Sequence, residues 1–147
     1  MISKEQVMAG KILIVDDELD MLELLELIIA ERTPYQVLTT NNPLEVPGLL
    51  KEGLIDLMIT DLRMPGLSGM DLIREAKKDC PDMPVIVITA YGSSQSAEES
   101  ITEGAYDYIT KPFRKDQILI TINRSMEWRA MKKELQALKS QSQPESK

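Results

Sequence analysis

Short apolar runs recur along the chain, and a helical pattern fills each interval between them. Residues 11–15 (KILIV), 36–40 (QVLTT), 56–60 (DLMIT), 85–89 (VIVIT) and 106–110 (YDYIT) have strand length and are rich in β-branched residues. Residues 19–31, 43–52, 68–79 and 93–103, and a longer segment from about 115 to 139, repeat their apolar positions at three and four, as helices do. Strands alternating with helices predict right-handed βαβ units, hence an α/β fold: a doubly wound parallel sheet of five strands in three layers. The strands at 12–15 and 85–88 are apolar without alternation, as strands buried on both faces are. Helix starts are legible in Asn42 before Pro43, in Ser68 before Gly69, and in Ser93 or Ser94. Pro47 falls inside the second helix, where its missing N–H makes that helix short, kinked or late-starting.

Two helices carry more apolar surface than one core can take. In the first, Leu22, Leu25 and Ile29 form a core stripe, and Met21, Leu24 and Ile28 form a second one. Ile28 is assigned to a widened core face, and Met21 and Leu24 to an exposed patch. In the last helix, Leu119, Ile122 and Met126 can pack on the sheet. Trp128, Met131, Leu135 and Leu138 follow at spacings of three, four and three. Trp128 lies about 120° around the axis from Ile122, so this second stripe reads as a short coiled-coil or dimer seam. The competing reading is the solvated start of a linker. The tail from Ser140 to Lys147 is polar and expected to be disordered.

A chain of 147 residues, 43% hydrophobic, suits one well-buried core rather than two ordinary domains. The layout expected is an N-terminal extension over 1–9, a domain over 10–128, an extended helix or linker over 129–139 and the tail over 140–147. The single cysteine, Cys80, excludes an internal disulfide and suits a reducing compartment. The first ten residues have no apolar stretch typical of a leader, and no window approaches the roughly 18 apolar residues of a membrane span. A cytoplasmic location is expected. A net charge of −7 argues against nucleic acid as a ligand of this chain.

The polar residues at the strand ends supply the candidate chemistry. Asp16 and Asp17 follow the first strand, Asp61 the third, Thr89 closes the fourth, and Lys111 follows the fifth. In an open parallel sheet such ends line one crevice, where ligands bind. Mg²⁺ takes oxygen ligands from one or two carboxylates plus a phosphate, and Asp16, Asp17 and Asp61 suit that role. A carboxylate can also be the nucleophile toward phosphorus. Phosphoryl transfer then needs charge neutralisation and in-line positioning, for which the metal, Lys111 and the Thr89 hydroxyl are suited. Each residue alone has a plain structural explanation: a helix cap, a turn, a satisfied hydroxyl. It is their conjunction at four strand ends that points to chemistry.

The segments ILIVDDE (12–18), ITDLRMPGLSG (59–69), ITAYG (88–92) and GAYDYITKPF (104–113) resemble those of receiver domains of bacterial two-component response regulators, over about residues 10–128. The resemblance implies strand order 2-1-3-4-5 and phosphorylation of Asp61. It implies Mg²⁺ held by Asp16, Asp17, Asp61 and the backbone carbonyl of Arg63. Thr89 and Lys111 would contact the phosphoryl group, with Thr89 and Tyr108 as the switch pair. A sensor histidine kinase or phosphotransfer protein would dock on Met21, Leu24, Pro112 and Phe113. The fourth helix, fifth strand and last helix would form the responsive surface and a homodimer contact. The third and fourth segments are most similar to receivers of σ54-activating regulators, which act in transcription. The chain contains no histidine, so the phosphohistidine donor must be another protein.

The resemblance implies a switch with only autocatalytic phosphorylation and dephosphorylation, not an enzyme acting on other substrates. A phosphohydrolase with an aspartate nucleophile is the alternative, but it usually carries Asp-x-Asp, and Arg63 occupies the second position here. A receiver-like module that only binds partners is the third reading. No output domain is recognisable after the last helix, as expected of a stand-alone receiver or of a fragment ending in a linker.

Overall fold

The structure, a computed structural model, describes residues 9–90 and 92–142. Strands β1 (Lys11–Val15), β2 (Gln36–Thr40), β3 (Leu57–Thr60), β4 (Val85–Thr89) and β5 (Asp107–Thr110) form one parallel sheet in the order 2-1-3-4-5. Between and after them run α1 (Leu19–Arg32), α2 (Val46–Lys51), α3 (Gly69–Asp79), α4 (Ser94–Thr102) and α5 (Lys115–Ser142).

Successive strand side chains point to opposite faces, so one sheet generates two cores. On one face Leu13, Val15, Met58, Val85 and Val87 meet Val46 and Leu50 of α2 and Leu72, Ile73 and Ala76 of α3. On the other, Ile12, Ile14, Leu57, Ile59, Ile86 and Ile88 meet Leu22, Leu25 and Ile29 of α1 and Ile118, Ile122 and Met126 of α5. Each such side chain contributes about 1.5–3 kcal/mol on burial. Ile28 is buried as expected. Along α5, however, Ile118 rather than Leu119 begins the sheet-facing stripe, and Leu119 is half-buried.

The helix starts follow side-chain chemistry. Asn42 accepts the Leu44 amide and opens a 3₁₀ turn, Pro43–Glu45, from which α2 continues. Pro47 then sits in the first turn of α2, where no N–H is required. Ser68 accepts the Asp71 amide at the start of α3, and Ser93 forms a capping box with Ser96 at the start of α4.

The last helix departs from expectation. It continues unbroken to Ser142, so the disordered tail expected from Ser140 is helical through its first three residues. Residues 143–147, and all but Ala9 of the expected extension over 1–9, lie outside the described residues. The continuation is tied to the body. Arg129 and Lys133 both pair with the buried Asp56 beside β3, and Arg129 donates to the Asp82 carbonyl at 3.1 Å. Trp128 is half-buried, tilted against Tyr106 at 5.9 Å, with the ammonium groups of Lys77 and Lys132 over its ring. Trp128 therefore belongs to the body's packing and not to an exposed seam, because an aromatic neighbour and two cations already cover it. No helix among the described residues is long and apolar enough to cross a membrane.

Candidate phosphoryl-transfer site

Sheet register builds the site. Val15 is level with Thr60, so Asp16 and Asp61 leave the sheet side by side. Thr89 is level with Thr110, which places Lys111 just past the same edge. Asp16, Asp61 and Thr89 are all buried, the two carboxylates at 3% exposure.

The Lys111 ammonium joins these ends. It donates to Asp16 Oδ2 at 3.1 Å, to Asp61 Oδ2 at 3.0 Å and to Glu18 Oε1 at 3.2 Å. Burial works against this ammonium, but its bonds to Asp61 and Asp16 and their negative charge outweigh burial and hold its pKa well above the ordinary lysine range. Burial raises the Asp16 pKa. The Glu18 amide and Lys111 oppose that shift, and the nearby Asp61 charge adds to it. Three carboxylates thus share one ammonium, an excess of negative charge that a divalent cation would relieve.

Backbone geometry aims Asp61. Its Oδ1 accepts the Leu62 amide at 2.6 Å and the Arg63 amide at 3.3 Å, while Oδ2 takes Lys111. Gly69 lets α3 start directly under this loop: a Cβ there would lie 2.4 Å from the Asp61 carbonyl oxygen and 2.5 Å from Leu62 Cα. Beyond Asp61 opens a cavity of about 550 Å³ lined by Asp17, Glu18, Asp61, Leu62, Arg63, Met64, Pro65 and Ser68.

Asp16, Asp61 and Lys111 form the tight group, with Thr89 buried at the same edge. Asp17 is exposed and faces the cavity instead. The third carboxylate in the tight group is Glu18: Asp16, Glu18 and Asp61 offer oxygens within 4.8 Å of one another. Sequence reasoning passed over Glu18, although its signal was present two residues after Asp16. The Glu18 amide bonds Asp16 Oδ1 at 2.9 Å, and that turn brings the Glu18 side chain back to Lys111. All these donors are hard oxygens, and with Asp17 across the cavity the set fits Mg²⁺.

Tyr108 is half-buried, and its hydroxyl meets Ser96 Oγ of α4 at 2.8 Å, a partner the sequence reading did not find. The sequence shows Ser96 three residues after the cap Ser93, and the fold then brings its hydroxyl to Tyr108. Among the expected docking residues, Leu24 is 43% exposed and Pro112 is exposed. Met21 and Phe113 are half-buried against the α1–α5 core. Leu27 and Leu19, exposed on the same helix, extend the apolar surface beyond the expected patch.

A parallel sheet of this order with carboxylates, a hydroxyl and an ammonium at one edge defines a receiver-like class of α/β protein. Residues 12–123 match the response regulator receiver domain family, to which the chain belongs. It is 42% identical to the response regulator protein PilR of Pseudomonas aeruginosa over 102 residues, covering 69% of this chain and 23% of PilR. The chain spans about a quarter of the length of such regulators. Among solved structures, a response regulator receiver domain from Clostridium thermocellum superposes with TM-score 0.77 at 35% identity, over 83% of this chain and 98% of that one. The beryllofluoride-activated NtrC4 receiver domain, solved as a dimer in solution, gives TM-score 0.77 at 34% identity, over 81% and 98%.

Proposed function

We propose that this chain is a phosphorylation-dependent switch that takes a phosphoryl group onto Asp61 from a phosphohistidine of a partner histidine kinase or phosphotransfer protein. The observation that carries this reading is the Asp61 carboxylate. It is buried at the mouth of a cavity, fixed by two backbone amides on one oxygen and by Lys111 on the other. A carboxylate oxygen attacks phosphorus, the P–N bond to the donor imidazole breaks, and its electron pair leaves with the nitrogen. Lys111 and the Thr89 hydroxyl receive the phosphoryl oxygens, so little has to reorganise as charge shifts. Mg²⁺ would be held by Asp16, Asp17, Asp61 and the Arg63 carbonyl, and would supply positive charge facing the transferred group.

Lys111 gives up its bond to Asp61 Oδ2 when it turns to the phosphoryl group. β5, which carries Tyr108, leads directly into Lys111, so the site is joined to the surface of α4, β5 and α5. That surface, with the α5 extension, would pass the state on, to a second copy or to an output element controlling transcription. The docking patch around Leu24 and Pro112 would receive the donor. The experiment is mass spectrometry after treatment with acetyl phosphate and Mg²⁺. One phosphoryl group per chain, localised to Asp61, supports the switch. Multiple turnover on phosphomonoesters would replace it with a hydrolase, and an unlabelled protein with a binding module.

A further inference from the structure

The face of α5 that packs on the sheet continues past the sheet and changes character there. At 100° per residue, Arg129, Lys133, Gln136 and Ser140 lie within about 40° of the line of Ile118, Ile122 and Met126. Beyond Met126 that line turns from apolar to basic and polar, at the opposite end of the strands from Asp61. Two clefts open at this end. One, of about 420 Å³, is lined by Lys11, Gln36, Leu54, Asp56, Arg129 and Lys133. The other, of about 380 Å³, lies between Asp82 on the body and Arg129, Lys132, Lys133, Gln136 and Ser140 on α5. Arg129 and Lys133 border both, so the clefts adjoin. From Arg129 to Ser140 the helical wall is about 16 Å long.

Cations crowd this groove. Residues 129–139 hold four cations and one carboxylate, in a chain of net charge −7. Asp56 pairs with Arg129 and Lys133 and fixes where they stand. Lys132 has no carboxylate partner among the described residues, and its ammonium lies 5.2 Å from the centre of the Trp128 ring. Lys77 lies 5.6 Å from the same ring, held by the Pro81 and Met83 carbonyls. Burial lowers the Lys77 pKa; Asp82 opposes that shift, and the charges of Arg129 and Lys132 add to it. Carboxylates entering the groove would relieve this like-charge crowding, and Lys132 is the cation placed to swing from the ring toward them.

The walls also choose between classes of anion. Asp56 and Asp82 stand among the cations, and the chain as a whole is acidic, which disfavours a continuous phosphate backbone. A peptide brings carboxylates at intervals and backbone N–H donors between them, which the Asp82 carboxylate and the Gln136 and Ser140 side chains can accept. Five extended residues span the 16 Å wall. We propose that the groove between the α5 extension and the Asp82 side of the body binds an acidic peptide segment of a partner protein, with Lys132 as the cation that moves to meet it.

Titration of the full chain with hexaglutamate at low ionic strength, followed by calorimetry and by emission of Trp128, the sole tryptophan, tests this. One peptide should bind per chain, with a saturable change in emission as Lys132 leaves the ring, and binding should weaken as NaCl is added. Lys132→Gln with Gln136→Glu should weaken it by about tenfold. Gln136→Glu alone, which leaves both cations over Trp128, should weaken it severalfold. Gln117→Glu, the same charge change at the far end of α5, should leave it within about twofold. Four results would each overturn the proposal: no calorimetric binding, binding that leaves Trp128 emission unchanged, equal weakening by Gln117→Glu and Gln136→Glu, or a hexathymidylate that binds the groove as tightly as the peptide. Acetyl phosphate labelling of Asp61 is a separate reading, because the groove lies at the other end of the sheet.

Discussion

At the scale of single residues, the site is a crowd of carboxylates around one ammonium. Asp61→Asn removes one of three negative groups while keeping the shape and the two backbone amide bonds to Oδ1. It should abolish acetyl phosphate labelling, because an amide oxygen is a poor nucleophile. In Mg²⁺-free buffer it should also stabilise the fold, on the order of 1 kcal/mol, since Lys111 retains Asp16 and Glu18. Urea titration beside the labelling assay reads both effects. Asp16 carries a pH signature. Its pKa is raised in the folded protein above the ordinary 3.8, chiefly by burial, so the native state binds that proton more readily than the unfolded chain does. The sign follows directly. Ionised Asp16 weakens the metal-free fold at neutral pH, and the weakness fades as pH falls through the raised value. Asp16→Asn should therefore be more stable than wild type at pH 7 without Mg²⁺, with an advantage that shrinks as pH falls through that raised value. An advantage independent of pH would assign the effect to something other than this proton.

At the scale of elements, strands and caps were legible because each rests on local chemistry: unbroken apolar runs for β1 and β4, Ser68 and Ser93 at helix starts, Pro47 forcing a short α2. What eluded the sequence depends on contacts far apart in the chain. Trp128 reads as seam by spacing, yet Tyr106 and Lys77, distant in sequence, cover it. The helix reaches Ser142 despite its polar sequence because Asp56 secures its base at Arg129 and Lys133. Asp16, Asp61 and Lys111 could be placed together from strand ends alone. Glu18 stood two residues after Asp16 as a candidate carboxylate, but its place in the tight group instead of Asp17 is decided by one backbone bond, from the Glu18 amide to Asp16. The junction of β3 and α3 shows how an element start serves the chemistry. Gly69→Ala would drive a methyl group into the Asp61 carbonyl and Leu62 Cα, and backbone cannot step aside as a flexible side chain can. The expected cost is about 1–3 kcal/mol of stability. Labelling of Asp61 should slow as well, because the displaced loop carries the amides that aim it. A Gly69→Ala protein that is destabilised yet labels at the wild-type rate would separate the helix start from the aim of Asp61.

At the scale of the whole molecule, charge links the site to stability. The chain carries a net charge of −7, and Asp16, Glu18 and Asp61 crowd together at the sheet edge, with Asp17 on the adjoining cavity. Folding holds those groups together at a cost that the unfolded chain does not bear. A cation that binds the folded site and not the unfolded chain must therefore raise stability by mass action, about 2.7 kcal/mol at a hundredfold excess over its dissociation constant. For a domain of this length that corresponds to roughly 10 °C in Tm. Asp17 decides whether the gain comes from this site or from general screening. It faces the cavity and stands outside the Lys111 group, so Asp17→Ala should leave the metal-free fold nearly unchanged and remove most of the Mg²⁺ response. NaCl at matched ionic strength controls for screening of the net charge, which acts alike on both proteins. Thermal melts of wild type and Asp17→Ala across a Mg²⁺ series measure the difference. A wild-type melt that moves no further with Mg²⁺ than with matched NaCl would remove the metal from the proposed chemistry. An equal Mg²⁺ shift in both proteins would move it off Asp17, onto the Asp16–Glu18–Asp61 group that Lys111 now holds.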